Sequence, residues 1–71
     1  MSFPERLTAL QKNRRLEKKE IFEAVGLSKT AYYHYEKGNR EPPISVLAAL
    51  ADFFDVSADY LLGRSDNPQR L

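Results

Sequence analysis

Apolar residues recur three and four positions apart along most of this chain, which is the spacing of amphipathic helices rather than of strands. In the first such segment the apolar positions are Phe3, Leu7 and Leu10. Ser2 precedes this segment as a possible cap, and Pro4 lies in its first turn, where proline is tolerated. A break is expected over residues 13–16. The pattern therefore predicts an all-α chain that begins with a short helix.

Residues 16–36 carry the most informative pattern and predict two short helices around a tight turn. Apolar residues lie four apart within each helix, in the pairs Ile21 and Val25, Leu27 and Ala31, and Ala31 and Tyr35. Gly26 can adopt the left-handed conformation that ends a helix, and Ser28 can cap the next helix through its hydroxyl. We predict helix two over 17–25 and helix three over 29–37. This is the layout of a helix-turn-helix, whose second helix enters the major groove of DNA.

Two further helices are predicted after a loop over 38–43, in which Gly38 suits a left-handed stop. Helix four is predicted over 44–54, with its apolar face formed by Ile44, Leu47, Leu50, Ala51 and Phe54. Asp55 ends it, and Ser57 caps a fifth helix through Leu62, which Gly63 terminates. Residues 64–71 are polar, and we expect either a frayed tail or the start of a linker. The chain is thus interpreted as a domain over 1–63 and a tail over 64–71.

The length of 71 residues allows one small domain with a marginal core. There is no cysteine and no His/Cys cluster, so neither disulfides nor a structural zinc is expected to stabilise it, and no cofactor is implied. Stability must then come from helix packing or from a partner subunit. The sequence contains no signal peptide and no long apolar span, so we expect a soluble cytoplasmic protein with no membrane partner and no small-molecule ligand.

The formal net charge is only +1, but its distribution is uneven. Residues 1–43 hold nine basic and six acidic side chains, whereas residues 44–71 hold two basic and four acidic ones. The basic part coincides with the predicted helix-turn-helix, although an ordinary solvated surface can show the same mixture. A single histidine, His34, has no nucleophile or carboxylate partner in the sequence. We therefore do not expect an enzyme.

Several motifs, in order and at the right spacing, resemble the lambda-repressor and Cro-type helix-turn-helix family, also called the XRE family. They are Arg6-Leu7, Leu16, Val25-Gly26-Leu27-Ser28, the run over 35–42 and the run over 50–63. The resemblance covers residues 6–63. It implies a compact five-helix lambda-repressor-like domain that binds a palindromic double-stranded DNA operator as a homodimer. It also implies a bacterial or phage transcription regulator, and a repressor more often than an activator.

The resemblance also assigns site residues by position. The positions that face base edges are Lys29, Thr30, Tyr33 and His34. The positions that contact phosphate are Lys18, Ser28, Lys37, Asn39 and Arg40. Amine and imidazole donors suit guanine O6 and N7, and a threonine suits a base edge or a thymine methyl. Each of these residues can equally be a solvated surface side chain.

Tyr32 and Tyr35 are predicted to point into the core. A dimer contact is expected from apolar residues that exceed what so small a core can cover, namely Phe53, Tyr60 and Leu61. The alternative is that all three are core residues.

The chain departs from the family pattern inside the helix-turn-helix. Phe22 stands where the family prefers a small residue, and we hypothesise that it rotates toward helix one, beside Leu7 and Leu10. Gln11 stands where the family often has an arginine that pairs with Glu36, so Glu36 is expected to receive a neutral hydrogen bond. Phe22, Tyr33 and the near-neutral charge leave open an alternative function, a protein-interaction module that has lost operator reading.

Overall fold

The computed structural model describes residues 1–70, and within that range the chain forms five α-helices and no strand. The helices are α1 Phe3–Asn13, α2 Lys18–Ala24, α3 Lys29–Lys37, α4 Ile44–Phe54 and α5 Ala58–Leu61. The predicted all-α, five-helix fold is confirmed, and the bounds of α3 and α4 agree with the predicted ones. Helix α2 is one residue shorter at each end than predicted, and α5 ends one residue earlier.

Serine side chains begin three of the five helices, as the sequence predicted. The Ser2 hydroxyl accepts a hydrogen bond from the backbone N–H of Glu5 at 3.5 Å, and the Glu5 carboxylate accepts one from the backbone N–H of Ser2 at 3.0 Å. This reciprocal pair is a capping box. Ser28 caps α3 and Ser57 caps α5 in the simpler way, each accepting a bond from a backbone N–H three residues later. Each cap satisfies a donor that the helix itself leaves free.

Left-handed residues follow four helices at or close to the predicted positions, and one of them is Gly63 after α5, with φ of +78°. Gly26 follows α2 with φ of +74°, and Gly38 and Asp55 follow α3 and α4 with φ of +77° and +56°. Arg15, which lies just after α1, has φ of +54° and was not expected there. A left-handed residue cannot continue a right-handed helix, and a non-glycine residue adopts this conformation only at an energetic cost. Arg15 therefore separates α1 from α2 more clearly than the residue types over 13–16 suggested.

One apolar core joins all five helices. Its buried members are Leu7, Leu10, Ile21, Tyr32, Tyr35, Leu50, Ala51, Phe54, Val56 and Leu61. The prediction that Tyr32 and Tyr35 are core residues is confirmed. Two predictions are wrong. Ile44 is 86% exposed, because it is the first residue of α4 and lies outside the core that the rest of the helix covers. Leu61 is fully buried, so it belongs to the core and cannot contact a second subunit.

Residues 65–70 are hydrogen-bonded to the helices. The buried Arg6 side chain donates to the Ser65 carbonyl at 3.3 Å, and its guanidinium stacks 3.8 Å from the centre of the Tyr60 ring. Arg70 forms an ion pair with Asp52, with a nitrogen–oxygen distance of 2.5 Å. These contacts hold the C-terminal segment against α1 and α4. The division at residue 63 and a linker beyond it stay predictions.

Candidate nucleic-acid interface

Helix α3 has two different faces, one buried and one open to solvent. Tyr32 and Tyr35 are buried, whereas Lys29 and Thr30 are exposed, Tyr33 is 50% exposed, and His34 is partly exposed. These four polar positions follow the 3.6-residue period of the helix and form one continuous surface. The structure therefore brings together the four side chains that the sequence assigned to base reading.

Tyr33 lies at the centre of this polar surface. Its ring meets the His34 ring edge-on, with 5.7 Å between the ring centres, and the Lys37 ammonium lies 5.7 Å from the Tyr33 ring centre. Such cation–π and aromatic contacts restrict the rotamers of exposed side chains. The arrangement offers amine, imidazole, hydroxyl and phenol groups side by side, without an acidic residue between them.

The turn between α2 and α3 fixes the start of this surface. The backbone N–H of Leu27 donates to the Phe22 carbonyl at 2.7 Å, and the left-handed Gly26 reverses the chain between them. The Ser28 hydroxyl accepts the Ala31 N–H at 3.1 Å and so begins α3. Ser28 is exposed, and its assignment to phosphate stays a prediction.

The loop after α3 extends the polar surface toward α4. Lys37, Asn39 and Arg40 are all exposed, and the Asn39 N–H donates to the His34 carbonyl at 2.9 Å. Within residues 1–70, neither Lys37 nor Arg40 lies within 4.0 Å of a carboxylate. Both cations therefore remain available to an anion from outside the domain.

Lys18 differs from the other predicted phosphate contacts because it already has a partner. Its ammonium lies 2.9 Å from the Glu36 carboxylate, which joins the start of α2 to the end of α3. The Glu36 side chain is only 7% exposed, against 53% for Lys18. The predicted bond between Gln11 and Glu36 is wrong. The Gln11 amide donates instead to the Leu16 carbonyl, because the chain break after α1 brings that carbonyl next to it.

Glu36 also influences a buried tyrosine one turn earlier on α3. Burial raises the pKa of the Tyr32 hydroxyl, and the negative charge of Glu36 raises it further. The Tyr32 hydroxyl has no hydrogen-bond partner among the described residues. Sequence reasoning gave Glu36 the wrong partner. A usable signal was that Lys18 begins a helix and Glu36 nearly ends one, positions at which the helix dipole disfavours these charges.

Phe22 is accommodated without a clash against Tyr32. The two rings are tilted by 50° with 6.1 Å between their centres, and Phe22 is only partly buried. Its ring forms one wall of a shallow surface groove whose other lining residues are Gln11, Glu17, Lys18, Lys19 and Lys29. The contact with Tyr32 explains how a large residue fits here, while packing beside Leu7 and Leu10 stays a hypothesis.

Two of the three residues predicted for a dimer contact remain partly accessible. Phe53 meets the Phe54 ring edge-on at 5.1 Å, and Tyr60 lies beneath the Arg6 guanidinium. Both residues thus have neighbours within the domain and are partly exposed.

Residues 1–70 contain no group of three His, Cys, Asp or Glu side chains arranged to bind a metal ion. The longest helices in this range have 11 residues, and none is long and apolar enough to cross a membrane.

Known proteins of similar sequence and structure identify the family of this chain. A family model described as helix-turn-helix matches residues 9–61, which is most of the chain. The chain belongs to the XRE-type helix-turn-helix family. The resemblance inferred from the sequence motifs is confirmed.

Individual relatives agree with this family. The chain is 40% identical over 65 residues to the HTH-type transcriptional regulator AnsR of Bacillus subtilis, covering 92% of the chain and 56% of AnsR. It is 39% identical over 64 residues to the uncharacterized HTH-type transcriptional regulator YobD of the same organism, covering 90% and 57%. It is also 30% identical over 64 residues to the cryptic phage CTXphi transcriptional repressor RstR of Vibrio cholerae, covering 90% and 58%.

A solved structure supports the same conclusion. The crystal structure of a transcriptional regulator from Listeria innocua superposes with a TM-score of 0.83 at 30% identity, covering 99% of this chain and 63% of the other. The chain thus spans a little over half the length of the relatives that it matches.

Proposed function

We propose that this domain binds double-stranded DNA with sequence preference and regulates transcription by occupying an operator. The observation that carries the proposal is the two-faced α3, which buries Tyr32 and Tyr35 and exposes Lys29, Thr30 and Tyr33. A helix held from behind by a core, with donors on its outer face, is suited to the major groove.

Each of the four residues assigned to base edges has a specific base partner in this proposal. Lys29 and His34 donate to guanine O6 and N7, and Thr30 contacts a base edge or a thymine methyl. The Tyr33 ring, held between His34 and Lys37, packs against a thymine methyl. The polar face of α3 therefore reads sequence, while the charged residues around it set the register.

Phosphate contacts come from both ends of α3. Ser28 lies at its start, and Lys37, Asn39 and Arg40 lie at its end and in the following loop. The excess of basic residues over 1–43 favours association with DNA. The acidic excess over 44–71 disfavours DNA contact through that part of the chain.

We also propose a homodimer on a palindromic operator, because one recognition helix contacts too few base pairs for a selective site. Half-sites would then lie about 34 Å apart, or a multiple of that distance. The partly exposed residues Phe53 and Tyr60 are the proposed contact. Repression is the favoured outcome, since the relative RstR is named a repressor. Action on bacterial or phage DNA implies a cytoplasmic location.

Fluorescence anisotropy tests DNA binding, using a duplex selected from a random library, an unselected duplex pool and a salt series. A regulator gives a preferred site and a steep decrease of affinity with salt. Lys29→Ala should weaken binding by about 1–3 kcal/mol and relax preference at one base pair. Arg40→Ala should weaken all sequences alike and reduce the salt slope by about one. A protein with neither site preference nor salt slope would instead be a protein-interaction module.

Sedimentation with and without a palindromic duplex tests the dimer. Two copies of the domain per duplex are expected. A strictly 1:1 complex of protein and palindromic duplex would contradict the dimer and leave the DNA-binding proposal unaffected.

A further inference from the structure

Lys18 and Glu36 occupy helix ends at which the helix dipole disfavours their charges. Lys18 is the first residue of α2, where the dipole is positive, and Glu36 is the next-to-last residue of α3, where the dipole is negative. Each residue taken alone weakens its own helix. Their ion pair, with 2.9 Å between nitrogen and oxygen, opposes both disadvantages. Both charges are unfavourable within their own helices and become favourable only through the contact between the helices. Such a departure from local preference is expected at functional sites.

Glu36 depends on Lys18 because its carboxylate is almost completely removed from water. Its side chain is 7% exposed, and a carboxylate in that position is strongly disfavoured without a cation or a full set of hydrogen bonds. Lys18 is the one cation of residues 1–70 within 4.0 Å of it. The neighbouring Gln11 amide is bonded to the Leu16 carbonyl and does not substitute.

The location of the pair determines what it controls. The turn over 25–28 connects the C-terminal end of α2 to the N-terminal end of α3, and the ion pair connects the two opposite ends. The two helices are thus joined at both ends, covalently at one and electrostatically at the other. Their relative angle decides how the polar face of α3 is presented.

We propose that Lys18 is a positioning residue, which holds α3 at its groove-reading angle through Glu36 and does not bind phosphate itself. This inference rests on the proposed reading of DNA by α3. The proposed role predicts the opposite of what net charge alone predicts for a substitution of Glu36. Removing the negative charge of Glu36 should favour DNA binding if only charge mattered, whereas loss of the ion pair should weaken it.

The first test uses no DNA. Urea unfolding is measured for the wild-type protein, Lys18→Gln, Glu36→Gln and the double variant. The two changes should be coupled by about 2- to 100-fold in the folding equilibrium constant. Lys18→Arg should retain most of the stability, and it provides a folded variant if Lys18→Gln unfolds. Lys19→Gln is the matched control, since this exposed neighbour makes no ion pair within residues 1–70. Additive effects of Lys18→Gln and Glu36→Gln would overturn the proposal.

The second test measures affinity for the selected duplex over a salt series. Lys18→Gln and Glu36→Gln should each weaken binding by about tenfold or more without a change in salt slope, and the double variant should be no weaker than the weaker single one. Glu23→Gln, on the exposed side of α2, is the charge-matched control for Glu36→Gln.

The opposite pattern would identify a phosphate ligand. A salt slope reduced by about one in Lys18→Gln, with unchanged or higher affinity in Glu36→Gln, would overturn the positioning role. A wild-type protein that binds no duplex would overturn the proposed function and this role with it. Additive stability effects in a protein that binds the duplex would overturn this role alone.

Discussion

The helix-turn-helix and the C-terminal helices of this domain are held in place by different means. Helix α2 has one fully buried side chain, Ile21, and its N-terminal end is fixed to α3 by an ion pair. In contrast, α4 buries Leu50, Ala51 and Phe54, and α5 adds Leu61. Residues 18–37 hold four basic and three acidic side chains, whereas residues 44–61 hold three acidic side chains and no basic one.

This difference separates stability from recognition within a very small protein. A helix that reads DNA must leave one face polar, so it has less apolar surface to bury. The C-terminal helices are free of that requirement, and α4 buries three side chains where α2 buries one. Substitutions of buried residues in the C-terminal region should therefore change the free energy of unfolding, while substitutions on the polar face of α3 should change affinity for DNA.

The largest effect is expected for Phe54→Ala in α4. Phe54 is fully buried and meets Phe53 edge-on, so its removal leaves a cavity and should cost about 3–5 kcal/mol of unfolding free energy. That is a large part of the total stability of a small domain. Ile44→Ala on the same helix is the matched control, and it should change stability by less than about 0.5 kcal/mol because Ile44 is exposed. Urea unfolding with equal effects for both variants would contradict this description of the core.

Gly63→Ala is expected to be the next most harmful change, and Gly26→Ala is its counterpart in the helix-turn-helix. Both glycines have positive φ, so an alanine costs about 1–2 kcal/mol at either position. A β-carbon at Gly63 would also lie 1.5 Å from the Met1 carbonyl oxygen, whereas at Gly26 it would have open space. We expect a total loss of about 2–4 kcal/mol for Gly63→Ala. Thermal or urea unfolding that ranks Gly26→Ala as more harmful would contradict this difference between the two regions.

Phe22→Ala should have an intermediate effect. The ring is partly buried against Tyr32, so we expect a loss of about 1–3 kcal/mol, less than for a fully buried phenylalanine. Urea unfolding measures this loss. A loss below about 0.5 kcal/mol would show that the packing against Tyr32 contributes little, and that Phe22 behaves as a surface residue.

The sequence predicted the helices well because their signals are local. Serine hydroxyls, left-handed residues and apolar spacing lie within a few positions of the boundaries that they determine. The α3 bounds and the burial of Tyr32 and Tyr35 follow from such signals. The four polar positions of α3 were equally predictable from the sequence, because the residues that a helix buries determine which residues it exposes.

The sequence could not predict what depends on tertiary contacts. Leu61 and Phe53 have similar apolar character, and only the packing of α5 shows that Leu61 is inside. Periodicity placed Ile44 on the apolar face of α4, but this first residue of the helix is exposed because the core does not extend to it. The partner of Glu36 lies 18 positions away in the chain, and Gln11 was the expected one. Long-range pairs of this kind leave no periodic signal.

The smallest change in stability is expected from removing a helix cap. Two caps of similar geometry can be compared, Ser2 on α1 and Ser28 on α3. Removing either hydroxyl with alanine should cost about 1 kcal/mol near neutral pH. The Ser2 cap has an additional component, because Ser2 donates from its backbone and side chain to the Glu5 carboxylate and thereby lowers the pKa of Glu5. The position equivalent to Glu5 in the Ser28 cap is Ala31, which cannot titrate.

The two caps should therefore differ in pH dependence. A carboxylate whose pKa is lowered by folding stabilises the folded state fully above its ordinary pKa of 4.5, and this stabilisation disappears as the pH falls through the lowered value. The stability difference between wild type and Ser2→Ala should shrink over that range, while the difference for Ser28→Ala should stay constant. Urea unfolding of all three proteins from about pH 7 to about pH 3 measures both differences. Parallel curves of stability against pH for Ser2→Ala and the wild type would contradict a contribution from ionised Glu5. The Ser2 cap would then stabilise its helix only through the serine hydroxyl, as Ser28 does on α3.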